Sequence, residues 1–183
     1  NQDLLAVHGE GVIIPDPDLN KVPQIPFIGP YPGPLRLEDK PSLRAINHVY
    51  DYSRCGQSPT FSVIRSKDFK KILNFVPVDI LNKKCPDRLF ADEVLITTLC
   101  ATYGKIDKID TLHVMRGDHV GRGELREKWM SETKPIDTQK STDFFLQKIS
   151  LMIHARGEQP TKETNKKLRD NLELFLYPQK ENI

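Results

Sequence analysis

No apolar run in this 183-residue chain approaches the roughly 20 residues needed to cross a bilayer. No signal-peptide pattern opens it either. Cysteine is scarce: Cys55, Cys85 and Cys100 are an odd number without CxxC spacing. That excludes a disulfide framework and a cysteine metal cluster, and it fits a reducing, cytoplasmic setting. Charge of one sign is also missing. The formal net charge is +2, so no global field points to nucleic acid or to an anionic membrane. The P-loop, GxGxxG, HExxH and GxSxG signatures are absent as well.

What is present reads as an ordinary globular chain, 38% hydrophobic and 28% charged, long enough for a substantial core. It opens with Asn1 rather than Met and enters an apolar strand within three residues, which we read as a piece of a longer protein. Leu4 to Ile14 reads as a strand interrupted by Gly9 and Gly11, a pattern that predicts a bulge. His8 and Glu10 share one face of it and are expected to face solvent.

Proline then dominates. The segment 15–41 holds Phe-Ile-Gly-Pro-Tyr-Pro-Gly-Pro and excludes helix and central strand, so it is expected to be a long irregular loop bordering a site. Beyond it, Ser42 is the predicted N-cap of a helix to Ser53, with Leu43, Ile46, Val49 and Tyr50 inward. Thr60 to Arg65 reads as a short strand and Lys67 to Phe75 as a helix burying Phe69, Ile72 and Leu73. The central segment runs from a cap at Asp87 to Tyr103 and stops at Gly104. Lys105 to Arg116 alternates as a strand, bent or turned at Lys108, and leads to a charged glycine-rich loop. Gly123 to Glu132 reads as a short helix. Asp137–Ala155, with Phe145, Ile149, Met152 and Ile153 as its apolar face, and Thr161–Tyr177, with Leu168, Leu172, Phe175 and Leu176, form two further helices, expected as an αα-hairpin over 136–183 that extends the 1–135 body or meets a protein partner.

The candidate chemistry lies at element ends. Asp92 begins a stripe continued by Ile96, Leu99 and Tyr103, and it stands in the first turn of the central helix with Glu93. A charge on a buried face must be paired, solvated by hydrogen bonds or bound to something. Two readings follow: an acid complementing the helix dipole, or a catalytic carboxylate at a cleft. Arg65 ends a strand, and Arg116, Asp118, His119 and Arg122 fill the loop after another, where α/β folds build sites. Asp118 and His119 carry ligand types suited to a divalent cation.

Three stretches in order resemble the second half of a GT-A type nucleotide-sugar glycosyltransferase of a bacterial, family 2-like group. They are Asp3-Leu-Leu-Ala-Val-His-Gly9, Thr60-Phe-Ser-Val-Ile-Arg65-Ser66, and Leu89-Phe-Ala-Asp92-Glu93-Val-Leu followed by Tyr103-Gly104-Lys105-Ile and Leu112-His-Val-Met-Arg116 with His119. The resemblance covers residues 3–122. It implies an α/β fold, a partial GT-A-like mixed sheet flanked by helices. It also implies sugar transfer from a nucleotide-sugar to a glycan or other acceptor hydroxyl, inverting and metal-assisted. On that likeness Asp92 is the general base with Glu93 as alternate, Arg116 and Arg122 neutralise the nucleotide diphosphate, and Arg65 also binds the donor. His119 and Asp118 approach a Mn or Mg ion. The family's donor-binding half would precede residue 1, and Asp16-Pro17-Asp18, inside the proline loop, is not its acidic metal motif. The competing reading is a non-enzymatic α/β interaction module.

Overall fold

The computed structural model describes residues 3–15, 29–31, 35–55, 62–76, 90–118 and 135–176. The chain is α/β. Its centre is strand β1 (Leu4–Pro15), which pairs in parallel with β4 (Lys105–Asp118) along its whole length. The other edge of β1 is shared by two short antiparallel partners: β3 (Val63–Ile64) beside Ala6 and Val7, and β2 (Gly29–Tyr31) beside Gly11 to Ile13. The result is a small mixed sheet. The β1–β4 register shifts between Leu4 and Ala6, between His8 and Glu10 and between Glu10 and Gly11; at the last two, beside the glycines of β1, the extra residues belong to β4.

Parallel strands need a crossover. Here it carries α1 (Pro41–Cys55), β3, α2 (Ser66–Leu73) and α3 (Ile96–Tyr103), the last entered through a π-helical turn at Phe90–Leu95. After β4, α4 (Pro135–Ala155) and α5 (Lys162–Leu176) complete the order. Arg169 of α5 pairs with Asp143 of α4 at 2.7 Å, and Ser150 of α4 donates to Asn165 at 3.0 Å, so the two helices run past each other in opposite directions. Both contribute to one core with α1 and α3: Phe145, Ile149, Met152, Ile153, Leu168 and Leu172 are buried in the same cluster as Val49, Leu99 and Ile106. Each such side chain contributes on the order of 1.5–3 kcal/mol by leaving water. No helix among the described residues is long and apolar enough to cross a membrane.

Several expectations change. The apolar stripe predicted on α3 is instead burial on almost every side: Thr97 to Thr102 are all buried, because α1, α2 and α4 surround the helix. Its threonines satisfy their hydroxyls locally, Thr98 donating to the Val94 carbonyl at 2.7 Å and Thr102 to that of Thr98 at 2.7 Å. The inward face of α1 is rotated from the predicted one. Leu43 (44% exposed) and Tyr50 (36%) face out, while Ala45, His48, Val49 and Tyr52 are buried. Ser42 is not the cap; its N–H and hydroxyl both donate to the Glu158 carboxylate, which arrives from the link between α4 and α5. His8, expected outside, is fully buried, because β1 is covered on both faces. Among the described residues of the proline segment, Gly29–Tyr31 forms an edge strand, β2, where Pro30 lies opposite Val12. Of the two readings at Lys108, the tight hairpin is absent: β4 is one strand through Asp118, irregular between Lys108 and Leu112, where its register against β1 shifts. The predicted cap at Asp87 and the helix over Gly123–Glu132 lie outside the described residues.

Gly104 joins α3 to β4 in extended backbone, and a Cβ there would stand 2.7 Å from the Leu5 Cβ and 3.0 Å from the Asp3 carbonyl oxygen. Gly104→Ala is therefore expected to destabilise by about 1–3 kcal/mol in urea unfolding, with no change in the slope against denaturant. His48 is fully buried, and neither ring nitrogen has a hydrogen-bond partner among the described residues. Burial, and then the nearby Arg36 charge, hold its pKa down at about 3 against an ordinary 6.5. Because the unfolded chain binds this proton first, the stabilisation is complete above pH 6.5 and declines as pH falls toward 3, by about 1.4 kcal/mol per pH unit. His48→Leu should flatten the stability slope between pH 6.5 and 5 by one proton relative to the parent chain.

Candidate functional site

A polar cleft of about 220 Å³ opens where four elements meet, lined by Asp3, Asp39, Pro41, Arg44, Lys105 and Arg156. Arg44 is its fixed point. Its side chain is buried in the first turn of α1, and its Nε donates to the Ala101 carbonyl at 2.8 Å and an Nη to that of Thr102 at 2.9 Å. These oxygens belong to the last turn of α3, where helical carbonyls lack partners and the dipole favours a cation. The other Nη donates to the carbonyls of Glu38 at 2.6 Å and Asp39 at 3.0 Å. One guanidinium thus ties the entry of α1 to the exit of α3. Burial, and then repulsion from Arg156, push the Arg44 pKa below its ordinary value, opposed by Glu38, Asp3 and Glu158.

Around it, Lys105 pairs with Asp39 at 2.6 Å, and Arg156 approaches Asp3 at 3.7 Å while lying over the Tyr103 ring at 4.9 Å. The Lys105 hydrogen bond holds the Asp39 carboxyl below the usual range. Tyr103 in turn donates to Asp68 at 2.9 Å, the largest of the influences lowering the Asp68 pKa, with Arg65 at 3.3 Å and Lys71 at 3.7 Å adding to it. A second arginine, Arg36, bridges the outer edge of β4: its backbone exchanges hydrogen bonds with Ile106, and its side chain reaches Asp51 at 2.6 Å and the Asn47 carbonyl at 3.1 Å.

The residues singled out from the sequence fall in two places. Asp92 and Glu93 lie in the π-helical turn, at the end of the central helix remote from Gly104. Arg116 and Asp118 stand opposite Ile13 and Pro15, at the C-terminal end of the parallel pair. Arg65 is at the other end: its backbone N–H donates to Leu5 and its guanidinium to the Leu4 carbonyl, besides its pairing with Asp68. From Leu4 to Ile13 the strand advances roughly 30 Å, so Arg65 and Arg116 do not converge. His119 and Arg122 lie outside the described residues, and the side chains of Asp92, Arg116 and Asp118 are not described. Among the described residues no group of three or more His, Cys, Asp or Glu side chains could hold a metal ion. Cys100 is buried in the core, its thiol pushed up to about 12, and is inert.

No family model, curated protein or solved structure matches the chain.

Sequence reasoning missed the cleft altogether. Neither Arg44 nor Lys105 stands out as a site residue in the sequence, because their partners are 57 or more residues away or are backbone carbonyls. The one local signal was an arginine and a histidine, Arg44 and His48, four apart on the side of α1 that also carries Ala45, Val49 and Tyr52. Arg44→Met should cost about 3 kcal/mol in chemical denaturation, since it leaves the buried Ala101 and Thr102 carbonyls without their donor. Arg44→Lys should rescue little of the loss, because an ammonium cannot span the fork of acceptors.

Proposed function

We propose that this chain is part of a GT-A type glycosyltransferase that moves a sugar from a nucleotide-sugar donor to an acceptor hydroxyl with inversion. The observation that carries the reading is the π-helical turn Phe90–Leu95, which places Asp92 and Glu93 at the opening of the helix that feeds β4. π-helical turns interrupt regular hydrogen bonding and recur at functional sites. The mixed sheet adds support. Parallel β1 and β4 with antiparallel β3 deliver Arg116 and Asp118 to the carboxyl end of the pair, the side on which α/β sheets bind ligands.

In this reading the Asp92 carboxylate accepts the proton of the acceptor hydroxyl. The acceptor oxygen forms a bond to the anomeric carbon as the bond from that carbon to the diphosphate oxygen breaks, and the nucleoside diphosphate leaves with the electron pair. Arg116 and Arg122 stabilise that departing charge. Asp118 and His119 would hold the Mn or Mg ion, which supplies further neutralisation of the diphosphate. Arg65, held at the opposite end of β1 by Leu4, Leu5 and Asp68, is assigned to positioning α2 against the sheet. The αα-hairpin reading of α4 and α5 makes them a buttress for α1 and α3.

In the longer protein that the reading implies, Asp92→Asn is expected to lower kcat by about 10²–10⁴-fold while donor affinity, measured by calorimetry, stays within about twofold. Glu93→Gln should retain most of the turnover. An Asp92→Asn protein that still turns over at near parental rate removes Asp92 from the chemistry.

A further inference from the structure

The cleft beside Arg44 has a charge pattern that its structural role does not use up. Three cations reach it from three different elements: Arg44 from the first turn of α1, Lys105 from the start of β4 and Arg156 from just beyond α4. They differ in freedom. The Arg44 guanidinium is fixed by four backbone carbonyls, and Arg156 is laid against the Tyr103 ring. Against them stand two carboxylates that approach from the solvent side, Asp39 with its side chain 91% exposed and Asp3 with 65%. Exposed pairs of this kind are weak and exchange readily with water and ions. The two remaining neighbouring acids are committed elsewhere: Glu158 accepts from the Ser42 N–H and hydroxyl at the entry of α1, and Glu38 accepts from the Asn47 side-chain amide at 2.6 Å.

We propose that this cleft binds a phosphate group, as the free anion or as a phosphomonoester, held by Arg44, Lys105 and Arg156. A dianion there gains charge-assisted hydrogen bonds from Lys105 and Arg156, beside the Arg44 guanidinium that four backbone carbonyls hold in place. It displaces only the two exposed carboxylates, which swing into water. The mutual repulsion of Arg44 and Arg156, which lowers the Arg44 pKa after burial, is relieved by the same anion. The volume of about 220 Å³ accommodates one phosphate group with its hydration or its ester substituent. The site lies at the amino end of the β1–β4 pair, across the sheet's length from Arg116 and Asp118, so it stands independently of the transferase reading.

The test uses the 183-residue chain, titrated with inorganic phosphate and, separately, with a sugar phosphomonoester, each against chloride at matched ionic strength. Amide and arginine side-chain NMR signals are followed. Saturable shifts confined to Arg44, Lys105, Arg156 and their neighbours are expected from at least one of the two, and the tighter binder identifies the form of the ligand. Lys105→Gln and Arg156→Gln, whose parent side chains are 21% and 33% exposed, should each weaken binding at least fivefold, whereas Asp39→Asn should tighten it by removing the competing carboxylate. The proposal is overturned if neither phosphate compound shifts these signals beyond chloride. It is also overturned if the two cation variants bind as the parent does, or if Asp39→Asn abolishes binding.

Discussion

One guanidinium holds the two halves of the crossover together. The crossover between β1 and β4 must bring α1 and α3 side by side, with the entry of the first against the exit of the second. Both ends present backbone groups that a helix cannot satisfy by itself. Arg44 answers the exit of α3 and the loop before α1 at once, with donors to Ala101, Thr102, Glu38 and Asp39. Glu158 answers the entry of α1 from the other side, through Ser42. Long-range polar contacts therefore do at this corner what local caps do in simpler folds. The close approach of Gly104 to Leu5 depends on the same alignment, since β4 can begin beside β1 only if α3 ends there.

In the transferase reading, this corner is where stability separates from chemistry along the sheet. The amino end of the parallel pair is a web of anchored charges: Arg44, Lys105, Arg156, and through Tyr103 also Asp68 and Arg65. The carboxyl end carries Arg116 and Asp118, one strand length away. In the transferase reading the rigid end fixes the register of β1 and β4, and the far end is left to meet substrate. A phosphate group bound in the cleft would tighten the rigid end without touching the reacting one.

Much of the architecture was legible from pattern. The apolar spacing of Phe145, Ile149, Met152 and Ile153, and of Leu168, Leu172, Phe175 and Leu176, named core faces that are buried as read. Gly104 marked the end of the central helix, and Gly9 and Gly11 marked the irregular register of β1. What pattern missed was tertiary. The buried face of α1 includes an arginine and a histidine, which periodicity counts as polar, so the predicted face lies about a third of a turn from the buried one. His8 was placed outside because nothing local says that a strand is covered on both faces. The cap of α1 came from residue 158, beyond the reach of any local signature. Of the candidate catalytic residues, the sequence located the turn and strand end that carry them; the cleft was invisible because its acceptors are backbone carbonyls.

The central claim is that Arg44 is locked between α1 and α3 in the native protein. Hydrogen exchange of its Nε–H, read by NMR, measures this directly. Donation to the Ala101 carbonyl in a buried setting predicts exchange only through global unfolding, with the same free energy of opening as the most protected amides of α3. Exchange at the rate of an exposed arginine, while those amides remain protected, would contradict the account.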